Sequence, residues 1–371
     1  MKKIKKLTFC TIILGVFICC NKNNDEKYFN GEIRYFDESQ KIVQYISPTV
    51  IPFDFFHGQI AVYDSLIICW NHKLPNYFFN VFNLDSGEEY GSFINKGRGP
   101  SDASAVNPIY QFFKNGNDIL TILYTYHGNH VLFWNISESI KKGESVFDKK
   151  KSINSNKDNS ARYHHIFYQD DDTLLAMIRP IMISYEEAIT PYYEKLTFFN
   201  NESLLSYPIY LKKIVRKGKS IISPEDFFYS TDYLKPDKSK IVQVMMNLPQ
   251  INIIDTQTGE VIGYRMKNGP DFSLFETDMR SFKKYYFYVQ ADDNYIYTTT
   301  YWEENSHEQN NNNSLLSIIH VYDWFGKHIY ELKCDREFFY IWLDPARNRL
   351  YSIDFGTDEV SYFSLNELNI D

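Results

Sequence analysis

The stretch Asp64-Ser65-Leu66-Ile67-Ile68 places a turn residue before a short apolar strand, and this pattern recurs along the chain. Turn residues followed by β-branched and apolar residues are typical of strands in hairpins. The starting positions are separated by 54, 54, 66, 55 and 54 residues. The six copies begin at Asp64, Asp118, Asp172, Lys238, Asp293 and Arg347. A fixed period just above 50 residues, with several strands in each unit, predicts a β-propeller.

A second strand follows each copy, and most of these strands end in Asn or Asp. Gly87, Gly259 and Gly326 come shortly afterwards in three copies, where a tight hairpin turn needs a residue with positive φ. Six copies fit six blades. The predicted fold is therefore all-β, a six-bladed β-propeller of four-stranded antiparallel blades, whose ring is closed by an N-terminal strand.

The last blade lacks an outer strand of its own, because only seven residues follow Ser364. An open sheet edge would leave backbone groups unpaired. Two strand-like segments precede the first blade, Gly31–Phe36 and Lys41–Ile46. We expect one of them to pair with the last blade and close the ring.

The N-terminus has the layout of a secretory signal. Four lysines lie within the first six residues, and the apolar run Leu7–Ile18 is shorter than the ~20 residues that span a bilayer. Cys19 and Cys20 follow, an ending that resembles a bacterial lipobox, in which the Cys after the cut receives lipid. The resemblance favours Cys20 as the lipidated residue, although the pattern prefers Gly or Ala where Cys19 stands.

This interpretation divides the chain into a signal peptide (1–19), a lipidated Cys with a polar tether (20–27) and a propeller domain (28–371). Cleavage removes four lysines, so the formal net charge falls from -8 to -12. The expected location is the cell envelope, after secretion through the inner membrane, with the lipid in the outer membrane on its periplasmic side or at the cell surface.

Composition narrows the function classes. A hydrophobic share of 44% with 23% charged residues is globular, and the acidic balance argues against nucleic-acid binding. We expect a monomeric domain without cofactor or metal, since no Cys-x-x-Cys or His-x-x-x-His spacing occurs. Cys69 and Cys334 sit in apolar strand-like runs, where buried free thiols are favoured over a disulfide.

Lys96-Gly97-Arg98-Gly99-Pro100-Ser101-Asp102 follows the strands of the first blade. Together with the lipobox and the six-fold repeat, it resembles the TolB-like six-bladed β-propeller lipoproteins of Bacteroidota, which often carry Gly-x-Gly-Pro-Gly-Glu at this place. Here Ser101 and Asp102 replace the last Gly and the Glu. The resemblance implies fold and location more than activity, and the loop itself is best interpreted as a link between blades.

Long loops concentrate on one face of the predicted ring. In a four-stranded antiparallel blade, the turn between the second and third strands and the link to the next blade share a face. Irregular loops on a rigid scaffold are where binding usually resides. The candidate ligand-binding residues on that face are Arg98, Asp102, Arg179, Tyr185, Tyr192, Tyr193, Lys217, Trp302 and Glu303.

Aromatic side chains beside arginines and carboxylates suit a glycan or peptide ligand. The sequence therefore favours a non-enzymatic module that binds a glycan, a peptide or an envelope protein. The alternative is an enzyme, because six-bladed propellers also host lactonases and lyases with sites at the central channel. Several convergent Asp, Glu, Asn or His side chains in the channel would favour that alternative.

Overall fold

The computed structural model describes the chain from Asn24 to Leu368 except for residues 53–57, 72, 100–101, 126–129, 154–162, 180, 183–186, 199, 201, 212, 216–222, 278–282, 303–315, 355 and 367. Four elements precede the first blade and wrap around the ring. They are helix α1 (Asn24–Tyr28) and strands β1 (Glu32–Phe36), β2 (Ile42–Ile46) and β3 (Thr49–Val50), with a 3-10 helix at Glu38–Gln40.

Six antiparallel sheets follow one another in the order of the repeats, which confirms the six-bladed propeller. Blades one and two are β4 (Gln59–Tyr63), β5 (Leu66–Trp70), β6 (Tyr77–Asn83), β7 (Glu89–Asn95), β8 (Phe112–Asn115), β9 (Asp118–Thr125), β10 (His130–Asn135) and β11 (Val146–Ser152), with helix α2 (Ile136–Lys142) between the last two. Blade three is β12 (Tyr163–Tyr168), β13 (Thr173–Ile178), β16 (Tyr192–Thr197) and β17 (Ser203–Pro208); β14 (Ile181–Met182), β15 (Glu187–Ile189) and β18 (Lys213–Val215) form a small separate sheet.

The second half of the ring repeats this arrangement. Helix α3 (Pro224–Phe227) leads into blade four, and a 3-10 helix at Phe272–Glu276 leads out of it. Blades four to six are β19 (Ser230–Leu234), β20 (Lys240–Met245), β21 (Gln250–Asp255), β22 (Val261–Met266), β23 (Tyr288–Ala291), β24 (Tyr295–Trp302), β25 (Leu316–Asp323), β26 (His328–Cys334), β27 (Ile341–Asp344), β28 (Arg349–Ile353) and β29 (Val360–Ser364).

The hairpin turns use the predicted chemistry. Gly87, Gly259 and Gly326 have φ of 74°, 76° and 77°, the left-handed region that glycine adopts at no steric cost. In the same turns, the side chain of Asn83 accepts from the backbone of Ser86, and that of Asp255 accepts from Thr258. These local bonds explain why the third strands of the repeats end in Asn or Asp.

Ring closure occurs, but through a segment other than the two predicted. Thr49 and Val50 of β3 pair antiparallel with Tyr362 and Ser361, and Ile51 donates to the Val360 carbonyl at 2.8 Å. The prediction that Gly31–Phe36 or Lys41–Ile46 completes the last blade is therefore wrong. Strand propensity marked those two segments correctly as strands, but propensity does not identify a strand's partner.

The two predicted closing segments instead form fifth strands on neighbouring blades. β1 pairs parallel with β22 in blade four, and β2 pairs parallel with β26 in blade five. Both lie at the outer edge of their sheets. Blades four and five are therefore wider than the other four, and their outer rim is made from the N-terminal segment.

Helix α1 is part of the domain rather than of the tether. Its Asp25 is buried and bonded to Arg265, and Tyr28 packs on Phe272 and Phe275. The folded unit therefore begins by Asn24, four residues earlier than the boundary at 28 drawn from composition. The polar composition of this segment hid the docking, because Asp25 lies in a run of polar residues that is typical of a solvated tether.

Two cysteines lie in the apolar core. Cys69 and Cys334 are both free and buried, as predicted. Burial raises the pKa of the Cys69 thiol to about 12. In the part of the chain that the structure describes, no helix is long and apolar enough to cross a membrane.

Candidate functional site

A cavity of about 470 Å³ opens at the end of the central channel where the innermost strands begin. We call it the upper mouth. All six blades contribute to its wall, mostly through the first residues of their innermost strands or the residues just before them. The lining residues are Gln59, Trp70, Pro108, Tyr110, His164, Arg179, Tyr229, Thr231, Asp232, Met246, Phe287, Tyr288, Phe339 and Tyr340.

Aromatic rings dominate this wall. In blades five and six the ring of Phe287 packs on that of Phe339 at 5.6 Å between centroids, and Tyr288 meets Tyr340 edge to face at 5.2 Å. Such contacts hold the rings in place before any ligand arrives. A rigid aromatic wall offers flat apolar surfaces at little entropic cost.

Arg179 supplies the positive charge of the upper mouth. It follows β13 directly, and its Nη2 lies 2.8 Å from Nε2 of His164 on the neighbouring β12. Because a guanidinium can only donate, His164 accepts through Nε2. The guanidinium carbon also lies 5.8 Å from the centre of the Tyr229 ring. These two contacts orient the planar fork at the cavity wall.

Asp232 supplies the carboxylate. It is buried on β19 and accepts hydrogen bonds from the hydroxyl of Tyr193 and, at 3.4 Å, from that of Ser230. Burial raises the pKa of Asp232 to about 7, although the bonds from Tyr193 and Ser230 and the charge of Arg179 oppose the rise. The carboxyl group therefore changes charge near neutral pH.

A row of buried amides connects Asp232 to the outside of blade four. Gln243 is its cross-strand neighbour, and Asn252 is the next residue along the row. Asn252 Nδ2 donates to Gln243 Oε1 at 2.9 Å. The row is therefore a run of buried polar side chains in the middle of a sheet, where apolar residues would be expected.

The row ends at a buried ion pair. Arg265 is 1% exposed and donates to Asp25 Oδ1 at 2.6 Å and to Gln250 Oε1 at 2.8 Å. Gln250 in turn donates to Asn252 Oδ1 at 2.7 Å. Helix α1, which carries Asp25, therefore neutralises the charge behind the upper mouth.

Some buried polar atoms on the cavity wall have no hydrogen-bond partner among the described residues, among them Gln59 Oε1, Thr231 Oγ1 and Arg179 Nε. An unsatisfied buried polar group costs about 1–3 kcal/mol. A ligand with hydroxyl groups or other polar atoms can satisfy them, with side-chain rotation at Gln59 and Thr231.

The opposite end of the channel, the lower mouth, is built differently. Its cavity of about 510 Å³ lies where the innermost strands of blades one, two, four and six end. The Lys114 ammonium pairs with Asp64 at 3.3 Å, and Lys238 donates to the Gln169 carbonyl at 2.7 Å. Asp344 pairs with Arg347 at 3.1 Å. Its charged groups are therefore paired with other protein groups.

The Gly97–Asp102 loop forms a third, separate cavity of about 350 Å³ with residues of blade two. Asp102 turns back to accept from the Gly99 N–H at 2.9 Å. A Cβ on Gly97 would lie 2.3 Å from the Asp102 carboxylate, and one on Gly99 would lie 2.7 Å from it. Close packing of Asp102 therefore explains both glycines, and the loop links β7 to β8.

The sequence-predicted residues fall into three groups. Arg179 lines the upper mouth, and Tyr193 lies just behind it as the donor to Asp232. Arg98 and Asp102 line the separate cavity beside blade two, and Tyr192 is half-buried on β16. Tyr185, Lys217 and Glu303 lie outside the described residues, as do the signal peptide and Cys20, and Trp302 ends β24 with its side chain undescribed.

Sequence reasoning missed Gln59, Thr231, Asp232 and most of the aromatic wall. A usable signal exists in the repeat itself. Gln59 precedes the recurring turn at Asp64 by five residues, and Tyr288 precedes Asp293 by the same number. In these two blades the residue at this offset begins the innermost strand, which lies at the axis of a propeller. In the other four copies the same offset falls inside the strand, so the repeat indicates the axis but not the end of the channel.

Metal ligands do not cluster in the described part of the chain. No group of three or more His, Cys, Asp or Glu side chains there is placed to hold a metal ion.

Comparisons with known proteins support the fold. No family model and no curated protein matches the sequence. The solved structures that resemble it include a candidate exported protein from Bacteroides fragilis and a member of the DUF4221 family from Bacteroides vulgatus. Each of the two has a TM-score of 0.51 and 12% sequence identity. The first match covers 89% of this chain and 98% of the Bacteroides fragilis protein, and the second covers 88% of this chain and 94% of the Bacteroides vulgatus protein. At this identity the likeness establishes a shared propeller fold.

Proposed function

We propose that the protein is a lipid-anchored envelope module that binds a saccharide in the upper mouth. The observation that carries the proposal is the set of unpaired polar atoms on Gln59, Thr231 and Arg179 beside a preformed aromatic wall. Sugars present hydroxyl groups at their edges and C–H faces that stack on aromatic rings. The cavity volume lies within the ~300–1,000 Å³ typical of small-molecule sites.

The envelope location is supported by the N-terminus. The order of lysines, apolar run and Cys20 is that of a lipoprotein signal. One structural neighbour is described as a candidate exported protein. In this proposal Cys20 carries the lipid, and the propeller presents its upper mouth to saccharides in the envelope.

One observation favours a second candidate, a glycoside hydrolase. A carboxyl group with a pKa near 7, as in Asp232, suits a general acid. Most glycosidases use two carboxylates, and Asp232 is the one carboxylate among the described residues of the cavity wall. Binding without hydrolysis is therefore the better supported function.

A glycan array probed with the soluble domain from Asn21 onward tests the proposal. The wild type and Lys114→Ala, a lower-mouth control, should bind the same saccharides, and Arg179→Ala should lose them. Absence of any bound saccharide, or unchanged binding by Arg179→Ala, would overturn the proposal. Mass spectrometry of the bound saccharide after incubation separates the two candidates, since cleavage would establish the hydrolase.

A further inference from the structure

Exposed apolar side chains concentrate on the rim of blades four and five. Ten large apolar side chains are exposed in the described part of the chain, and half of them lie on this part of the rim. Their exposed fractions range from 48% to 76%. We call them the rim patch, and they are Tyr35, Ile42, Val43, Tyr45 and Phe325. Such a concentration marks an interaction surface rather than scattered surface residues.

The patch is built on the two added strands. Tyr35 belongs to β1, and Ile42, Val43 and Tyr45 belong to β2, each the outermost strand of its sheet. Phe325 and Tyr35 line one groove of about 380 Å³ between the two blades. Natural edge strands are commonly protected by charge or by a cover. β1 has such charges in its exposed Glu32–Arg34 ion pair, whereas β2 exposes Ile42, Val43 and Tyr45 at its edge and therefore calls for a cover.

The position of the rim patch along the chain indicates what covers it. The rim patch follows directly on helix α1, whose Asp25 and Tyr28 are docked on blade four and its exit link. Cys20 precedes Asn24 by four positions, which gives a reach of at most about 14 Å at full extension. A lipid on Cys20 would therefore hold this side of the ring close to the bilayer.

We infer that the rim patch lies in the lipid–water interface of the membrane that carries the anchor. Tyrosine is enriched at that interface, and apolar neighbours add buried area. The Lys333 ammonium lies 5.6 Å from the centre of the Tyr45 ring, which places a cation beside anionic headgroups. With the rim on the membrane, the channel axis runs along the bilayer and both mouths face water. The inference rests on the anchored location in the proposed function.

Site-specific fluorescence on anchored protein tests this orientation. The domain from Asn21 with an N-terminal hexahistidine is bound to phosphatidylethanolamine/phosphatidylglycerol vesicles that contain a nickel-chelating lipid. The environment-sensitive dye NBD is attached at Tyr45→Cys or, as a matched control on blade one, at Tyr77→Cys. Labelling is specific because Cys69 and Cys334 are buried.

Dye at position 45 should shift its emission to the blue on vesicle binding and be quenched by doxyl-labelled lipids, while dye at position 77 should do neither. An unchanged signal at position 45, or equal changes at both positions, would overturn the inference. The anchor is supplied chemically, so this result does not depend on acylation of Cys20.

A second measurement omits the anchor. Vesicle co-sedimentation of the untagged domain should fall about tenfold in Tyr35→Ser/Ile42→Ser/Tyr45→Ser, relative to Tyr77→Ser. Equal sedimentation of the two variants would contradict the inference. The triple variant should bind the same saccharides on the glycan array as the wild type. If it lost saccharide binding but still differed from Tyr77→Ser in vesicle sedimentation, the proposed saccharide site would be wrong and the inference about the rim patch would stand.

Discussion

The two mouths of the channel are similar in volume but differ in how their polar groups are satisfied. In the lower mouth, Lys114 and Asp344 are paired with protein groups. In the upper mouth, polar atoms of Gln59 and Thr231 have no partner among the described residues, and Asp232 is buried with a raised pKa. Unsatisfied groups reduce stability, and this cost is the reason why we propose that a ligand binds beside them.

The largest predicted loss of stability follows removal of Asp25, which lies behind the upper mouth. Asp25→Ala leaves the fully buried Arg265 without its counter-ion, which we expect to lower the free energy of unfolding by about 3–5 kcal/mol. The lower-mouth control Lys114→Ala breaks an exposed pair with Asp64 and should cost about 1 kcal/mol or less. Urea denaturation of both variants provides the comparison, and equal losses would show that Asp25 is not a structural counter-ion.

Asp232→Asn should stabilise the domain at high pH. The folded-state pKa is raised to about 7, so the folded state favours the protonated carboxyl group, and the wild type loses stability as the pH rises from about 4 to about 7. Asparagine avoids this loss, and the gain should reach up to about 4 kcal/mol at pH 8 and vanish below about pH 4. Unfolding curves at pH 4, 6 and 8 measure it, and a gain independent of pH would contradict the assignment.

A buried histidine pair in blade five has the opposite pH dependence. Burial, with the charges of Lys41 and Lys283, lowers the pKa of His320 to about 3; burial, then His320 and Lys41, lowers that of His328 to about 2. Their contribution to stability is complete above pH 6.5 and is lost as the pH falls. From pH 6.5 to 5 each histidine should cost about 2 kcal/mol.

The variant His328→Gln isolates this effect. Its free energy of unfolding should fall less steeply between pH 6.5 and 5 than that of the wild type, by about 1.4 kcal/mol per pH unit. Guanidinium titrations at closely spaced pH values give the slopes. Identical slopes in the two proteins would mean that folding does not lower the pKa of His328.

The smallest predicted effect is the difference in stability between removing an unpaired hydroxyl group and removing a paired one. Thr231→Val removes an unpaired oxygen at the upper mouth and should raise the free energy of unfolding by about 1 kcal/mol while weakening saccharide binding. Thr121→Val removes a hydroxyl that donates to the Gln111 carbonyl at 2.7 Å, beside the lower mouth, and should lower stability by about the same amount. If both substitutions raised the free energy of unfolding, or both lowered it, the proposed difference in polar pairing between the two mouths would be wrong.

Periodicity sufficed to predict the blades, because a turn such as Asp64 and the strand after it are encoded locally. The partners of β1 and β2 were not predictable, since their pairing with blades four and five depends on where α1 docks. That docking rests on Asp25 and Arg265, which are 240 residues apart. For the site, Arg179 was identified from a long loop, whereas Asp232 was hidden inside a strand and acquires its properties from burial.

A crystal structure of the domain with a saccharide identified on the array tests the central claim most directly. We expect the sugar in the upper mouth, stacked on an aromatic ring such as Tyr288 or Tyr340 and hydrogen-bonded to Arg179 and Thr231. A sugar bound instead at the lower mouth, or at the Gly97–Asp102 loop, would contradict it.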